Sequence, residues 1–201
     1  MFPIFFVHLL FYWYSVGYIT HNYKLIPASL PINEMKNQVL FNQLVVTPLM
    51  IWVLGFGNET MENTVVDLFM GIVKYPFMLL ILNFTFGTMH FLFHKNRFLY
   101  RHFHSLHHRL KIPHPMGAIY AHPVEHVFAN LMPVGLAIWC VNAGWLLTLV
   151  FVAHISYETV SGHSVYSKEE LNTRHYIHHD KMIYNFDNSP YLFDRLIGTY
   201  N

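Results

Sequence analysis

Apolar residues are gathered into long runs separated by shorter polar segments, and four runs approach the length of a membrane span. A hydrocarbon core about 30 Å thick needs about 20 mostly apolar residues per helix. The runs are residues 4–19 (IFFVHLLFYWYSVGYI), 39–56 (VLFNQLVVTPLMIWVLGF, carrying Pro48), 75–93 (YPFMLLILNFTFGTMHFLF) and 127–155. The first two end in aromatic-rich flanks of the kind that sit at headgroups. Asp67 and Lys74 precede the third and are read as marking its interface. The fourth is broken by Pro133 and by Asn142 to Gly144, which predicts two short helices that dip in and return as a hairpin. The fold class expected is therefore all-α: an integral membrane bundle of about four spans, the last a hairpin, with a cytoplasmic histidine-rich helical cap.

The intervening segments are 20–38, 57–74, 94–126 and 156–201. Lys95, Arg97, Arg101, Arg109 and Lys111 fall in the third of these, and Lys168, Arg174, Lys181 and Arg195 in the fourth, which assigns both to the cytoplasmic side. Alternation puts Lys24 and Lys36 on the same side and the turn with Glu59 and Glu62 on the other. The sequon Asn58-Glu59-Thr60 lies too near the bilayer to carry weight. The N-terminal run lacks a basic leader and a small-residue cleavage site, so it is expected to be a retained span. Without repeats or long linkers the chain reads as one domain, 1–201. Its parts are three spans in 1–93, a cytoplasmic histidine segment in 94–126, the hairpin in 127–155 and a second cytoplasmic histidine segment in 156–201.

Composition sharpens this picture. The chain is 54% hydrophobic and 11% charged, too apolar for an ordinary soluble domain. A net charge of +1 gives no basic excess for nucleic acid. Cys140, the single cysteine, excludes an intramolecular disulfide. Histidine stands out with 16 copies, and imidazole is suited to metal binding and proton transfer near neutral pH.

His8 and His21 form no set and read as interfacial or locally hydrogen-bonded residues. Eleven others cluster: His90 and His94; His102, His104, His107 and His108; His122 and His126; His175, His178 and His179. The spacing His90-x-x-x-His94 places two imidazoles one above the other on a helix face, within reach of one metal. His104-x-x-His107-His108 and His175-x-x-His178-His179 each put three on about one turn. The same five-residue pattern twice, plus the i,i+4 pair, supplies at least eight nitrogen donors, too many for one first-row ion and suited to two. Imidazole serves iron, zinc, copper and nickel alike, so ligand type does not choose the metal. Absent cysteine ligands argue against iron–sulfur clusters and structural zinc, and triplets on one turn do not suit haem.

The order HxxxH, HxxHH, HxxHH, with the first box ending an apolar helix, resembles the fatty acid hydroxylase and sterol desaturase superfamily. The segment from Leu99 to Leu110, followed by Pro113, Gly117-Ala118, Tyr120 and His122-Pro123-Val124-Glu125, is similar to the second-box region of sphinganine C4-hydroxylases and sterol C4-methyl oxidases. Asn185-Phe186 and the run from Phe193 to Thr199 resemble the family's ending. The resemblance covers about Thr88 to Thr199; the first two spans match only in general character.

The resemblance implies a di-iron centre, in which zinc can substitute on purification, with O2 as co-substrate for attack on an unactivated C–H bond. It assigns the ligands His90, His94, His104, His107, His108, His175, His178 and His179. His163, in Thr159-Val160-Ser161-Gly162-His163-Ser164-Val165-Tyr166, matches a further family ligand, although the flanking residues depart from the usual pattern; His154 is the competing candidate. His122 and Glu125 match the family's HPxE element, expected to orient a ligand or a water. The alternative for that element is a proline-initiated helix start with Glu125 near its N-terminus. His102, His114 and His126 match no family position and are expected at the surface or beside the ligands.

The resulting expectation is a multi-pass membrane oxidoreductase that hydroxylates or desaturates a membrane lipid, such as a sphingoid base, fatty acyl chain or sterol. Its site would face the cytoplasm, in the endoplasmic reticulum if eukaryotic and the inner membrane if bacterial. Without a flavin or dinucleotide fingerprint, electrons would come from an external donor such as cytochrome b5 with its reductase, docking on the basic face. Nothing in the sequence sets an oligomeric state. A di-zinc membrane hydrolase using Glu125 or Glu158 as base and a non-catalytic metal-binding protein are the alternatives.

Overall fold

A computed structural model describes residues 2–53, 64–166 and 174–201. The acidic turn with Glu59 and Glu62, the sequon and Lys168 lie outside the described residues. Among those residues every regular element is helical. We number the principal helices α1 (Phe2–Asn22), α2 (Ile32–Phe41), α3 (Thr47–Val53), α4 (Thr64–Lys95), α5 (Arg97–His102), α6 (Pro123–Glu125), α7 (Met132–Cys140), α8 (Trp145–Gly162), α9 (Arg174–Lys181) and α10 (Leu192–Ile197).

Helices α1 and α4 contain segments, Pro3–Asn22 and Phe69–Lys95, long and apolar enough to cross a membrane. Their large apolar side chains point outward: Phe6, Leu10 and Tyr14 on α1, and Phe69, Ile72 and Phe77 on α4, are all more than half exposed. Such continuous apolar surface suits a hydrocarbon surround rather than water. The expected break at Asn142 to Gly144 is present between α7 and α8, with Asn142 at φ 47°, and Lys74 Nζ donates to the Asn142 carbonyl at 2.8 Å.

Three boundaries differ from expectation. Helix α4 begins at Thr64, ahead of Asp67 and Lys74, because a charged residue costs little helix propensity and does not end a helix. Helix α8 runs to Gly162, seven residues beyond the end expected for the hairpin. Pro133 does not break its segment; a π-helical turn runs directly into it and the chain continues as α7. Ahead of Pro48 and Pro133 the chain makes π-helical turns, Asn42–Val46 and His126–Leu131. The two turns face each other through a hydrogen bond between Thr47 Oγ1 and His126 Nε2 (3.0 Å).

Two cores divide the bundle. At one end Ile4, Ile51, Leu82, Ile138, Phe151 and Val152 pack together; at the other Tyr12, Ile19, Met35, Leu110, Tyr120 and Val160 do so. Helices α1, α4 and α8 all run from the first core toward the second, and α2–α3 and α7 run back. The histidine-bearing segments gather at the second end, beyond the last turns of α4 and α8.

Candidate metal centre

Helix α4 delivers His90 and His94 on its last turns, and α5, capped by the Asn96 side chain on the Phe98 and Leu99 amides, turns the chain so that His104 lies under them. The second box folds as a tight 3-10 helix, His104–Arg109; the third lies on α9. His163 is the residue on which α8 ends. These nine imidazoles form two groups: His90, His94, His104, His108 and His178, and His107, His163, His175 and His179, with the potential ligand atoms of each group within 4.8 Å of one another.

Each HxxHH box straddles both groups. His104 and His108 join the first and His107 the second, whereas His175 and His179 join the second and His178 the first. The reading of each box as one set of three on one turn is thus refined: in both boxes the residues at i and i+4 fall in one group and the residue at i+3 in the other. Two adjacent candidate metal positions are each served by both HxxHH boxes, and the HxxxH pair His90 and His94 serves the first alone.

The proton positions say what these groups are for. A carbonyl can only accept, so an imidazole Nδ1 bonded to one carries its proton there. That holds for His90 on Phe186 O (2.6 Å), His107 on Tyr120 O (3.1 Å), His163 on Thr159 O (2.8 Å) and His178 on Tyr184 O (2.8 Å). His104 Nδ1 does the same with Glu125 Oε1 at 2.7 Å. The Nε2 atoms of all five therefore present lone pairs. In the first group Nε2 atoms approach at 2.7 Å (His94 and His104), 3.0 Å (His104 and His108) and 3.2 Å (His108 and His178). In the second the spacings are 2.9 Å (His163 and His175) and 3.1 Å (His175 and His179). His90 Nε2 is buried with no hydrogen-bond partner.

Converging lone pairs repel unless a cation sits among them. For a metal–nitrogen distance of 2.0–2.1 Å, neighbouring ligands at a right angle stand about 3.0 Å apart, which is the spacing seen here. Both groups therefore fit first-row metal ions. Burial depresses the basicity of the imidazoles beyond the apolar spans: His107 is lowered to about 4 and His163 to about 3, and His104, His108, His175, His178 and His179 lie well below their ordinary value. Neutral imidazole is the ligating form.

The remaining sequence candidates fall as follows. Glu125 is buried and orients His104 directly. His122 caps α6, its Nδ1 accepting from Val124 N at 3.2 Å ahead of Pro123, and its ring packs on Phe103; the proline-initiated start and the orienting carboxylate thus coexist in one HPxE element. His154 belongs to neither group; its Nδ1 bonds Tyr75 Oη at 2.6 Å and its Nε2 faces Glu158 at 3.8 Å. His102 is exposed, whereas His114 is buried and caps the Met116 amide.

His8, which belongs to no sequence cluster, and His126, which was clustered with His122, line a cavity instead. About 950 Å³ of open space runs among α1, α3, α4, α7 and α8, walled by apolar residues such as Ile51, Leu82, Val134 and Ile138 and by His8 and His126. His8 Nδ1 bonds Ser156 Oγ (2.9 Å) and His126 bonds Thr47. A second space of about 810 Å³ touches His90, His107, His163 and His175. The two share Phe86, Asn130, Thr159 and Asn188, so the apolar cavity abuts the histidine groups. His8 is isolated in an apolar run and carries no periodic signal, and the spacing of His126 from His122 says nothing of a cavity, which is why the sequence did not reveal this role.

The chain is thus a helical bundle in which two groups of histidines that could each hold a metal ion stand at the end of an apolar cavity. The fatty acid hydroxylase family model matches residues 75–199, and the chain belongs to that family, as its histidine pattern indicated. A sphingolipid C4-hydroxylase of Schizosaccharomyces pombe is 28% identical over 184 residues, 85% of this chain and 61% of the relative. A very-long-chain aldehyde decarbonylase of Oryza sativa subsp. indica is 33% identical over 126 residues, 56% of this chain and 48% of the relative. A C-4 methylsterol oxidase of Candida albicans is 34% identical over 87 residues, 35% of this chain and 28% of the relative. The chain spans about half the length of the first curated relatives it matches. No solved structure matches it.

Proposed function

We propose that this protein is an O2-dependent di-iron oxidoreductase that hydroxylates or desaturates a membrane lipid. The observation that carries the reading is the convergence of Nε2 lone pairs in two adjacent groups where the apolar cavity ends. His90, His94, His104, His108 and His178 on one side and His107, His163, His175 and His179 on the other would hold iron, which would supply the activation of O2 for attack on a C–H bond. The chain's own residues do the rest. Glu125 and the carbonyls of Tyr120, Thr159, Tyr184 and Phe186 hold the imidazoles in one tautomer and orientation. Leu82, Phe86, Val134 and Ile138 line a path for a hydrocarbon chain and exclude water from it. Asn130 and Thr159, at the junction of the two spaces, are placed to orient a polar group near the reacting carbon. The relatives' names span sphingolipid, aldehyde and sterol chemistry; the sphingolipid C4-hydroxylase aligns with 85% of this chain and the methylsterol oxidase with 35%, which favours a sphingoid base over a sterol.

The apolar outer faces of α1 and α4 support a membrane protein, and the Lys and Arg residues of the histidine segments, among them Arg97, Arg101, Arg109 and Lys181, support placing the histidine end in the cytoplasm. Electrons come from an external donor such as cytochrome b5 with its reductase. Metal analysis of the purified protein, together with O2 consumption under a reductant and mass spectrometry of lipids from cells with and without the gene, tests the function. Two irons per chain, O2 uptake and a lipid gaining one oxygen or losing two hydrogens are expected. Two zinc ions with reductant-independent lipid cleavage would instead indicate a hydrolase, for which Glu158 at the edge of the metal-side space is the base. For topology, cysteines placed at Lys111 and Lys181 are expected to be labelled from the cytoplasmic side alone; labelling from opposite sides overturns the arrangement.

A further inference from the structure

The C-terminal run from Phe193 to Thr199 ligates nothing, yet it holds a buried carboxylate against the segment that carries two ligand acceptors. Asp194, on α10, is fully buried. Its Oδ1 accepts from the Phe186 amide (2.9 Å) and the Thr199 hydroxyl (2.6 Å), and its Oδ2 from the Asp187 amide (2.7 Å). Both oxygens act only as acceptors, of two N–H groups and one O–H, as a carboxylate does. Among the described residues no basic side chain forms an ion pair with it.

The peptide joining Phe186 to Asp187 is bonded at both ends. Its N–H goes to Asp194 Oδ2, and its carbonyl accepts the Nδ1 proton of His90 at 2.6 Å. Two residues earlier, the Tyr184 carbonyl accepts from His178 Nδ1 at 2.8 Å. Between them Asn185 is pinned in a left-handed conformation (φ 55°), its amide on Thr199 O (3.0 Å) and its Oδ1 taking the Asn201 amide (2.9 Å). The buried Phe186 ring packs on His90, His94 and His178.

We propose that Asp194 is a positioning residue of the five-histidine metal position, acting on His90 through the Phe186–Asp187 peptide. A carboxylate on the N–H of a peptide polarises that peptide and strengthens its carbonyl as an acceptor. The carbonyl then fixes the Nδ1–H tautomer of His90 and aims its Nε2 lone pair at the metal. Glu125 does this for His104 by direct contact; Asp194 does it for His90 across one peptide. The inference rests on the reading of the five histidines as a metal position.

Asp194→Asn tests it, because an amide can accept on one side only and must release one of the two backbone N–H groups. The test uses the full chain in detergent, with chelator-competition titration of metal binding and the absorption spectrum of the cobalt-substituted protein. Loss of a hydrogen bond to a ligand's outer nitrogen typically lowers metal affinity about 10–100-fold. Asp194→Asn is expected to do so at one of the two positions, to alter one set of cobalt bands and to leave helix content unchanged. In a His90→Gln background the same substitution is expected to have no further effect on metal affinity. Wild-type affinity and spectrum in Asp194→Asn, or an undiminished effect without His90, overturns the proposal. If Asp194→Asn does not fold, Thr199→Val decides: freeing Oδ1 of its hydroxyl is expected to weaken the same position several-fold, and unchanged binding and spectrum overturns the relay. A wild-type protein that binds metal only at the four-histidine group overturns both the relay and the di-metal reading, whereas two metals with indifferent variants overturns the relay alone.

Discussion

Glu125 and His104 form a buried pair in which one carboxylate oxygen holds the imidazole Nδ1 at 2.7 Å while the other, Oε2, has no hydrogen-bond partner. Burial pushes the Glu125 carboxyl well above its ordinary range and the His104 imidazole well below. A cation among the Nε2 atoms opposes the first shift, since it favours the carboxylate that balances it, and reinforces the second, since it disfavours a charged imidazole. Glu125→Gln keeps an oxygen that accepts from Nδ1 and loses the charge; Glu125→Ala loses both. Metal affinity at the five-histidine position is expected to fall by about 10-fold in the first and by up to about 100-fold in the second, read by chelator competition. Equal affinity in all three proteins would remove Glu125 from the centre.

His163 and His154 are told apart by geometry in a way their sequence contexts do not permit. His163 Nε2 lies 2.9 Å from His175 Nε2, with Nδ1 committed to Thr159 O; His154 is engaged with Tyr75 on α4. His163→Ala is expected to lower bound metal toward one ion per chain and abolish turnover, and His154→Ala to keep two ions. Metal counted by mass spectrometry of elements in each purified variant checks this, and loss of metal in His154→Ala alone reverses the assignment.

The parts legible in the sequence were those with a period or a chemical signature. Apolar runs gave the helices, and the repeated spacing of His104 to His108 and His175 to His179 gave a polyhistidine centre. The division of each box between two groups was not legible, because it depends on how α9 faces the 3-10 turn rather than on spacing within either. His126 and His8 were illegible for another reason: their partners, Thr47 and Ser156, are 79 and 148 residues away. Asp194 stood inside a motif with a family likeness but no visible role, since its effect on His90 passes through a backbone peptide.

Gly87 is where α4 lets α10 come close. A Cβ there would stand 2.7 Å from the ring of Phe193 and 2.9 Å from its Cβ, so rotating the ring does not relieve the contact. Gly87→Ala gains helix propensity of about 1 kcal/mol but forces α10 outward at an overpacking cost of about 1–3 kcal/mol. Since Asp194 follows Phe193, metal affinity is expected to drop with helix content preserved. Gly17→Ala, at an open position on the apolar helix α1, is the control, expected to be neutral or slightly stabilising. Thermal unfolding and metal titration of both variants check it; unchanged metal binding in Gly87→Ala would show that α10 tolerates displacement.

Metal binding to histidine normally releases protons, because a free imidazole is half-protonated near pH 6.5. The seven candidate ligands beyond the apolar spans are depressed by burial, His107 to about 4 and His163 to about 3, the other five well below the ordinary value. They are therefore already neutral in the folded metal-free protein at pH 6.5. Seven ordinary histidines would give up about 3.5 protons there; this centre is expected to release fewer than about two. What release occurs would come from two buried carboxyls that a nearby cation would ionise: Glu125, which burial pushes well above its ordinary range, and Asp187, which burial pushes up to about 7. The linkage sign follows: below pH 6.5 the unfolded chain binds protons that the folded chain does not, so the metal-free protein loses stability as pH falls from about 6.5 toward 4. Calorimetric titration of metal into the folded metal-free protein at pH 6.5, in two buffers of different ionisation enthalpy, counts the protons. A release of three or more would mean that the imidazoles are solvated before metal arrives and that the groups are assembled by the metal rather than by the fold.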